Sequence, residues 1–193
     1  MTLKTLALGL NFQMGNFNHY TKSSFAISGT VPLTFAHTYN SYHTAIDDVF
    51  FGQRTMEYVD VTYRPLSAGW SHTYDCYVTM VGTGSARRAI VHWGDGSIHV
   101  YKPSGSGYKA ESIGVYDNLS VNGSVATIKT KGQSDYKFEQ LEGGDSPLYY
   151  MTEVSDRNSN TLTVRYTDGQ HGMKVVSSVT DGPPADKDTA AEG

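Results

Sequence analysis

The chain has 193 residues and a formal net charge of −4. That length holds one compact domain with a real core or one segment of a longer array, and no basic excess points to nucleic acid or an anionic membrane. Twenty glycines and fourteen tyrosines push toward an all-β fold, because Gly supplies turns and Tyr suits half-buried pleated surface.

The opening "MTLKTLALGL" has an apolar run of five residues. A secretory leader needs about 7–15, so the run reads as a first strand. No apolar stretch approaches the ~20 residues of a membrane-spanning helix. "SSFAISG" sets Phe25 and Ile27 on one face. "VPLTFAHTYNS" reads as one strand with Leu33, Phe35, His37 and Tyr39 on one face. A single helical turn is expected near Ala45 to Phe51, and "YVDVTY" reads as a strand that groups Val59, Val61 and Tyr63. "DCYVTMV" aligns Cys76, Val78 and Met80. "AIVHW" and "SIHVY" flank "GDG", a tight hairpin around Trp93 to Ser97, and "KGQSD" separates two further strands. "LYYMTEVS", "TLTVRYT" and "KVVSSVT" complete the ordered part, and "DGPPADKDTAAEG" reads as a linker or disordered end. The expected fold is all-β: an antiparallel, hairpin-rich sheet or sandwich over residues 1–182, with little or no helix and a flexible tail over 183–193.

Candidate chemistry is thin. Cys76 is the only cysteine, which excludes an intrachain disulfide, and its alternating neighbours mark it as a small buried hydrophobe. His72 and Asp75 would face opposite sides of a strand, while His92 and His99 flank a turn and could pair across it; neither set offers a third metal ligand. Most aspartates adjoin Gly, Asn or Ser, where a carboxylate accepts backbone N–H bonds in turns. "SDRNSN" supplies oxygens for calcium but lacks the spacing of a calcium loop and its bidentate Glu. "GTGSARR" and "PSGSGYK" do not match a phosphate-binding loop, and Arg87-Arg88 reads as a solvated pair. Tyr and Trp could stack on sugars, or pair across strands with an apolar body and a polar rim. Trp70 and Trp93 are the expected core anchors, with Gly69 and Gly94 letting backbone pass close by. No cofactor, metal or catalytic residue is assigned.

Repetition is weak but visible. "EVSDRNSN" and "SSVTDG" place Val154-Ser155-Asp156 and Val179-Thr180-Asp181 alike, and "DGSIHVY" and "KGQSDYKF" share a Gly followed by a short strand closing on an aromatic. A hairpin unit of this kind cannot bury its face alone and stacks on neighbours. At "VPLTFAHTYNS", "GWSHTYD", "DGSIHVYKPSG" and "EVSDRNSNTLTVRYTDG", collinear over about residues 12 to 182, the chain resembles the N-terminal part of the RHS/YD-repeat family. That family includes bacterial RHS polymorphic toxins, toxin-complex shell subunits and the teneurins. Departures are the 42–68 insert, His37 where the family has Arg, Ser159 where it has a turn Gly, and Tyr166-Thr167-Asp168 where it has "YD". The family's C-terminal self-cleaving region has no counterpart here.

The resemblance implies a non-enzymatic structural β module: part of a shell that encloses a toxin polypeptide, or the plug-side start of one. It implies the remaining repeats or a second copy as partner, and secretion or surface association within a bacterial toxin-type system. The residues expected to build it are Leu33, Phe35, Tyr39, Asn40, Trp70, His72, Tyr74, Trp93, Asp95, Gly96, Asp156, Arg157, Asn160, Tyr166 and Asp168. Arg157 is expected to pair with a carboxylate or to cap turn carbonyls. The alternative is a cell-surface or carbohydrate-binding β module presenting coplanar exposed aromatics; a carboxylate-pair hydrolase ranks behind both.

Overall fold

The computed structural model describes residues 10–11, 16–20, 25–27, 33–40, 66, 69–141, 148–169 and 174–183. The expected helical turn near Ala45 to Phe51, the strand at Val59 to Tyr63 and the tail beyond Pro183 lie outside these residues. The fold is all-β, with antiparallel pairing throughout and one 3-10 turn (Gly84–Ala86) among the described residues. A small sheet holds β1 (Leu10–Asn11), β2 (Asn16–Tyr20), β5 (His37–Asn40) and β6 (Trp70–His72), and β3 (Phe25–Ile27) pairs with β4 (Leu33–Phe35).

The main body follows in chain order: β7 (Tyr77–Val81), β8 (Arg88–His92), β9 (Ile98–Ser104), β10 (Gly107–Ala110), β11 (Asn118–Asn122), β12 (Val125–Lys129), β13 (Asp135–Glu139) and β14 (Leu148–Ser155). Each pairs with the next, and β14 also pairs back with β7, so the eight strands close into a ring. An eight-stranded barrel has an interior just wide enough for its own side chains. Here Val78, Tyr101, Leu119, Ile128, Phe138 and Met151 fill it, each almost fully buried. The period-2 reading of "DCYVTMV" holds, since Cys76, Val78 and Met80 all join this core. Phe138 lies opposite Met151 and Lys137 opposite Glu153, leaving Thr152 as an extra residue. That bulge resets the alternation, so Met151 and Val154 both point to the core.

The outer edge of β14 changes partner along its length. Its Leu148–Tyr150 half pairs with β7, and Glu153–Ser155 pairs with β15 (Thr161–Asp168). β15 in turn pairs with β16 (Lys174–Asp181), which has no other neighbour among the described residues. The last hairpin therefore branches from the barrel at β14, and its Leu162 and Val164 stay buried in the same core.

Three hairpin turns repeat one closure. Trp93, Thr130 and Asp156 each donate their N–H to the carbonyl four residues on, and each accepts from the N–H three residues on. The donor in that second bond has positive φ every time: Gly96 at 80°, Gln133 at 62° and Ser159 at 64°. The two turns expected at "GDG" and "KGQSD" are thus present, and the shared unit is a turn geometry rather than a shared glycine.

Two expectations need correction. "VPLTFAHTYNS" is not one strand but two, in different sheets, broken at Ala36. Thr73 takes both backbone groups there: Ala36 N–H donates to Thr73 Oγ1 (2.9 Å), and Thr73 N–H donates to Ala36 O (3.1 Å). Trp70 is no core anchor: it is 36% exposed, because it sits on edge strand β6, across from Tyr39.

Candidate functional site

A cleft of about 510 Å³ opens where the N-terminal strands meet the end of the barrel. Thr34, Ala36 and Thr38 line it from the N-terminal segment; Trp93, Tyr136 and Leu162 line it from the main body. The first three are the small-residue face of "LTFAHT", opposite the face that carries Leu33, Phe35, His37 and Tyr39. The alternation that pointed to the large residues held this second face too, and sequence reasoning passed over it.

Two turns position the cleft. In the first, Asp75 N–H donates to His72 O (2.8 Å) and Tyr74 N–H donates to His72 Nδ1 (3.2 Å). His72 and Asp75 therefore do not share a strand, as the sequence suggested, but end a tight turn. The second is the Trp93–Ser97 turn. Gly94 N–H donates to Cys76 Sγ (3.2 Å), and Ser71 Oγ donates to Gly94 O (3.2 Å). A Cβ on Gly94 would lie 2.3 Å from His72 O and 2.5 Å from Thr73 O. Only a hydrogen fits there, so glycine is a packing requirement.

Trp93 closes the barrel end. Its Nε1–H donates to His99 Nδ1 (3.1 Å), and its ring meets Tyr136 edge-on at 5.0 Å. His99 faces the core side with Val91, whereas His92 lies opposite Ile98 on the outer side and stacks on Tyr77 at 4.2 Å. The cross-turn histidine pair that the sequence allowed is not formed, and each ring makes its own separate contact.

Burial sets the electrostatics. It is the main cause of the drop of His72 to about 4, helped by nearby His37, so His72 is neutral at physiological pH and its Nδ1 is free to accept. Burial also pushes the Cys76 thiol far up. Cys76 is then a hydrogen-bonding thiol in the wall of the cleft and not a thiolate nucleophile. Among the described residues Asp95 is the one carboxylate lining the cleft, and its Oδ1 accepts from Ser97 N–H (2.8 Å). No group of three or more His, Cys, Asp or Glu suited to a metal occurs among the described residues.

The other sequence-selected residues lie elsewhere. Phe35 stacks on His72 at 5.2 Å, and Leu33 packs against the core. Tyr39 and Trp70 meet at 5.2 Å but are inclined at 53°, so they present no flat platform. Asn40 sits opposite Asn18 in the β2–β5 ladder. Tyr166 donates its hydroxyl to Met151 O (2.8 Å) and tilts against Tyr150, while Asp168 pairs with Lys174. Arg88 is not solvated as expected: it forms an ion pair with Glu111 at 2.8 Å.

The Asp156–Asn160 turn is self-contained. Asp156 Oδ1 accepts from the N–H groups of Asn158 (2.7 Å) and Asn160 (2.9 Å), and Oδ2 accepts from Asn160 Nδ2 (2.9 Å). These bonds, led by the Asn160 amide, hold its carboxyl below the usual range. They engage both carboxylate oxygens within the loop itself. Arg157 is exposed and makes no hydrogen bond or ion pair among the described residues. The turn role expected of Arg157 belongs to Asp156 and Asn160.

Residues 10–101 match the family described as "Domain of unknown function (DUF6531)". The match runs from β1 into β9 and spans just under half of the chain. No curated protein matches the chain.

Proposed function

We propose that the chain is a non-enzymatic structural β module of RHS/YD-repeat type, forming the plug-side start of a sheet-built shell. The observation that carries this reading is the β15–β16 hairpin. It branches from a closed barrel at β14 and offers a strand of eight residues whose second edge pairs with no other strand among the described residues. An unpaired edge of that length is a template for the next strand. The barrel itself is packed with side chains, which favours the plug over the cargo-enclosing part. A toxin polypeptide would then be enclosed by later repeats, and the partner of β16 is the next repeat or a second copy of the chain.

The edge can be blunted without disturbing β15. Arg165 lies opposite Ser178 and Tyr166 opposite Val176, so Ser177 is the extra residue of a bulge. Proline is tolerated at bulges and removes an N–H from the ladder. The wild-type chain is expected to associate with rising concentration in sedimentation velocity, and Ser177→Pro to stay monomeric with a similar melting temperature. A wild-type chain that stays monomeric into the millimolar range would sink the reading.

A further inference from the structure

We infer that the outer face of β9–β12 is a binding site for an acidic polysaccharide. The inference is independent of the shell reading, because it concerns the face of the barrel turned away from the core. Across that face the register sets Lys102 opposite Lys109, Lys109 opposite Asn118, Asn118 opposite Lys129, and Lys129 opposite Asp135. Tyr101, Leu119 and Ile128, the neighbours of these positions, are buried in the core, which turns the whole row outward.

Lys102 and Lys109 are directly opposed and exposed, and neither forms an ion pair among the described residues. Like charges so placed destabilise a sheet, and nothing in the packing of the barrel calls for them. Lys129 reaches Asp135 only at 3.4 Å, with both side chains more than half exposed. Such a contact is weak and readily exchanged for a ligand carboxylate.

The row borders a concavity of about 450 Å³, lined by Ser104, Gly107, Lys109, Ser120, Thr127 and Lys129 among others. Gly107 leaves its floor bare: a Cβ there would meet Leu119 O at 2.8 Å. Ser120 and Thr127 hydroxyls sit 2.6 Å apart and share one hydrogen bond, which leaves them able to donate or accept further bonds. Hydroxyls and an amide set between ammonium groups match a sugar acid, whose carboxylate needs the cation and whose hydroxyls need the rest. Lys102, Lys109 and Lys129 stand one and then two strand spacings apart, at about 4.8 Å per strand, so a polyanion that crosses the strands meets them in turn. Among the described residues the groove has no arginine, and its aromatic residue, Tyr108, packs against the core and so offers no free ring for a base to stack on.

The test is isothermal titration of the full chain with an oligogalacturonate at low salt. Neutral dextran oligomers, polyphosphate and single-stranded DNA of matched charge serve as controls. Saturable oligogalacturonate binding that fades as salt rises is expected, with weak or no binding of the controls. Lys109→Glu should weaken binding about tenfold or more. The same change gives Lys102 an opposite charge across the strands, so the melting temperature should hold or rise. That readout separates lost binding from lost folding. Absence of saturable binding, full binding by Lys109→Glu, or equally tight binding of DNA or polyphosphate would each overturn the inference. So would a dimer that Lys109→Glu splits, which would make this face an interface between copies.

Discussion

The turns at Trp93–Ser97 and Asp156–Asn160 are closed by the same two backbone hydrogen bonds, and each carries an aspartate that binds its own loop. They differ in what surrounds them. The first is wedged between β6 and the barrel, with Gly94 against the carbonyls of His72 and Thr73. The second stands in solvent and holds itself together through Asp156 and Asn160. One local structure thus does two jobs: where it is buried, its neighbours specify it, and where it is exposed, its side chains do. Substitution should break the two turns in opposite ways.

Gly94→Ala carries the largest expected effect. The added methyl meets backbone on two sides, and backbone cannot rotate away as a side chain tip can. The N-terminal strands must move off the barrel, at a cost of about 3 kcal/mol or more. Gly132→Ala, in the third turn of this kind, is the control: its Cβ would meet only the Thr130 hydroxyl at 3.7 Å. Urea unfolding of the pair reads the difference, and similar midpoints would show that Gly94 is not a packing requirement.

Acid should strain the wedged turn first. His72 drops from 6.5 to about 4 in the folded chain, so the unfolded chain binds more protons between those values. Its contribution is complete above about pH 6.5 and is lost as pH falls toward 4, by roughly 3 kcal/mol in all. The groups facing it are the Phe35 ring, His37 across the β5–β6 ladder and the Tyr74 N–H. In His72→Gln the slope of stability against pH in this window should flatten. An unchanged slope would assign the acid sensitivity to other groups. The Asp156 turn should stay closed throughout that window, because its carboxyl is held below the usual range.

Much of the ladder was legible because period-2 alternation and Gly-rich turns are local. The face formed by Cys76, Val78 and Met80, and the hairpins at "GDG" and "KGQSD", follow from neighbours within a few residues. What was not legible depended on distant partners. Ala36 breaks a strand because Thr73, 37 residues away, captures its backbone. Trp70 is exposed because its strand lies at an edge, and edge position is a property of the whole sheet. The cleft lining of Thr34, Ala36 and Thr38 was missed for a related reason: small residues give no signal until the rest of the lining is known. The lysine row needs the pairing of four strands before it exists at all.

The exposed turn offers a gain as well as a loss. Ser159 holds φ at 64°, a conformation that costs a side chain energy and glycine almost none. Ser159→Gly should stabilise the chain by about 0.5–1 kcal/mol, the benefit of relieved strain being reduced by the freer unfolded state. A lower melting temperature would mean that Ser159 makes a compensating contact in the turn. Gly96 already occupies the equivalent place in the wedged turn, so of these two turns the exposed one alone has this margin, which Gln133 at 62° shares in the third.

The smallest expected effect tests whether the exposed turn is as self-contained as its bonds suggest. Arg157 is the most conspicuous charge in "DRNSN", and its sequence position invites a role in holding the turn. Yet both oxygens of the adjacent carboxylate are taken by Asn158 and Asn160, and the guanidinium has no partner among the described residues. Arg157→Ala should therefore shift stability by no more than about 0.5 kcal/mol, while Asp156→Ala, which frees two backbone N–H groups and an amide at once, should lower the melting temperature clearly. If the arginine change proved the more damaging of the two, the turn would be held from outside after all, and the contrast with the Trp93–Ser97 turn would collapse into one mechanism.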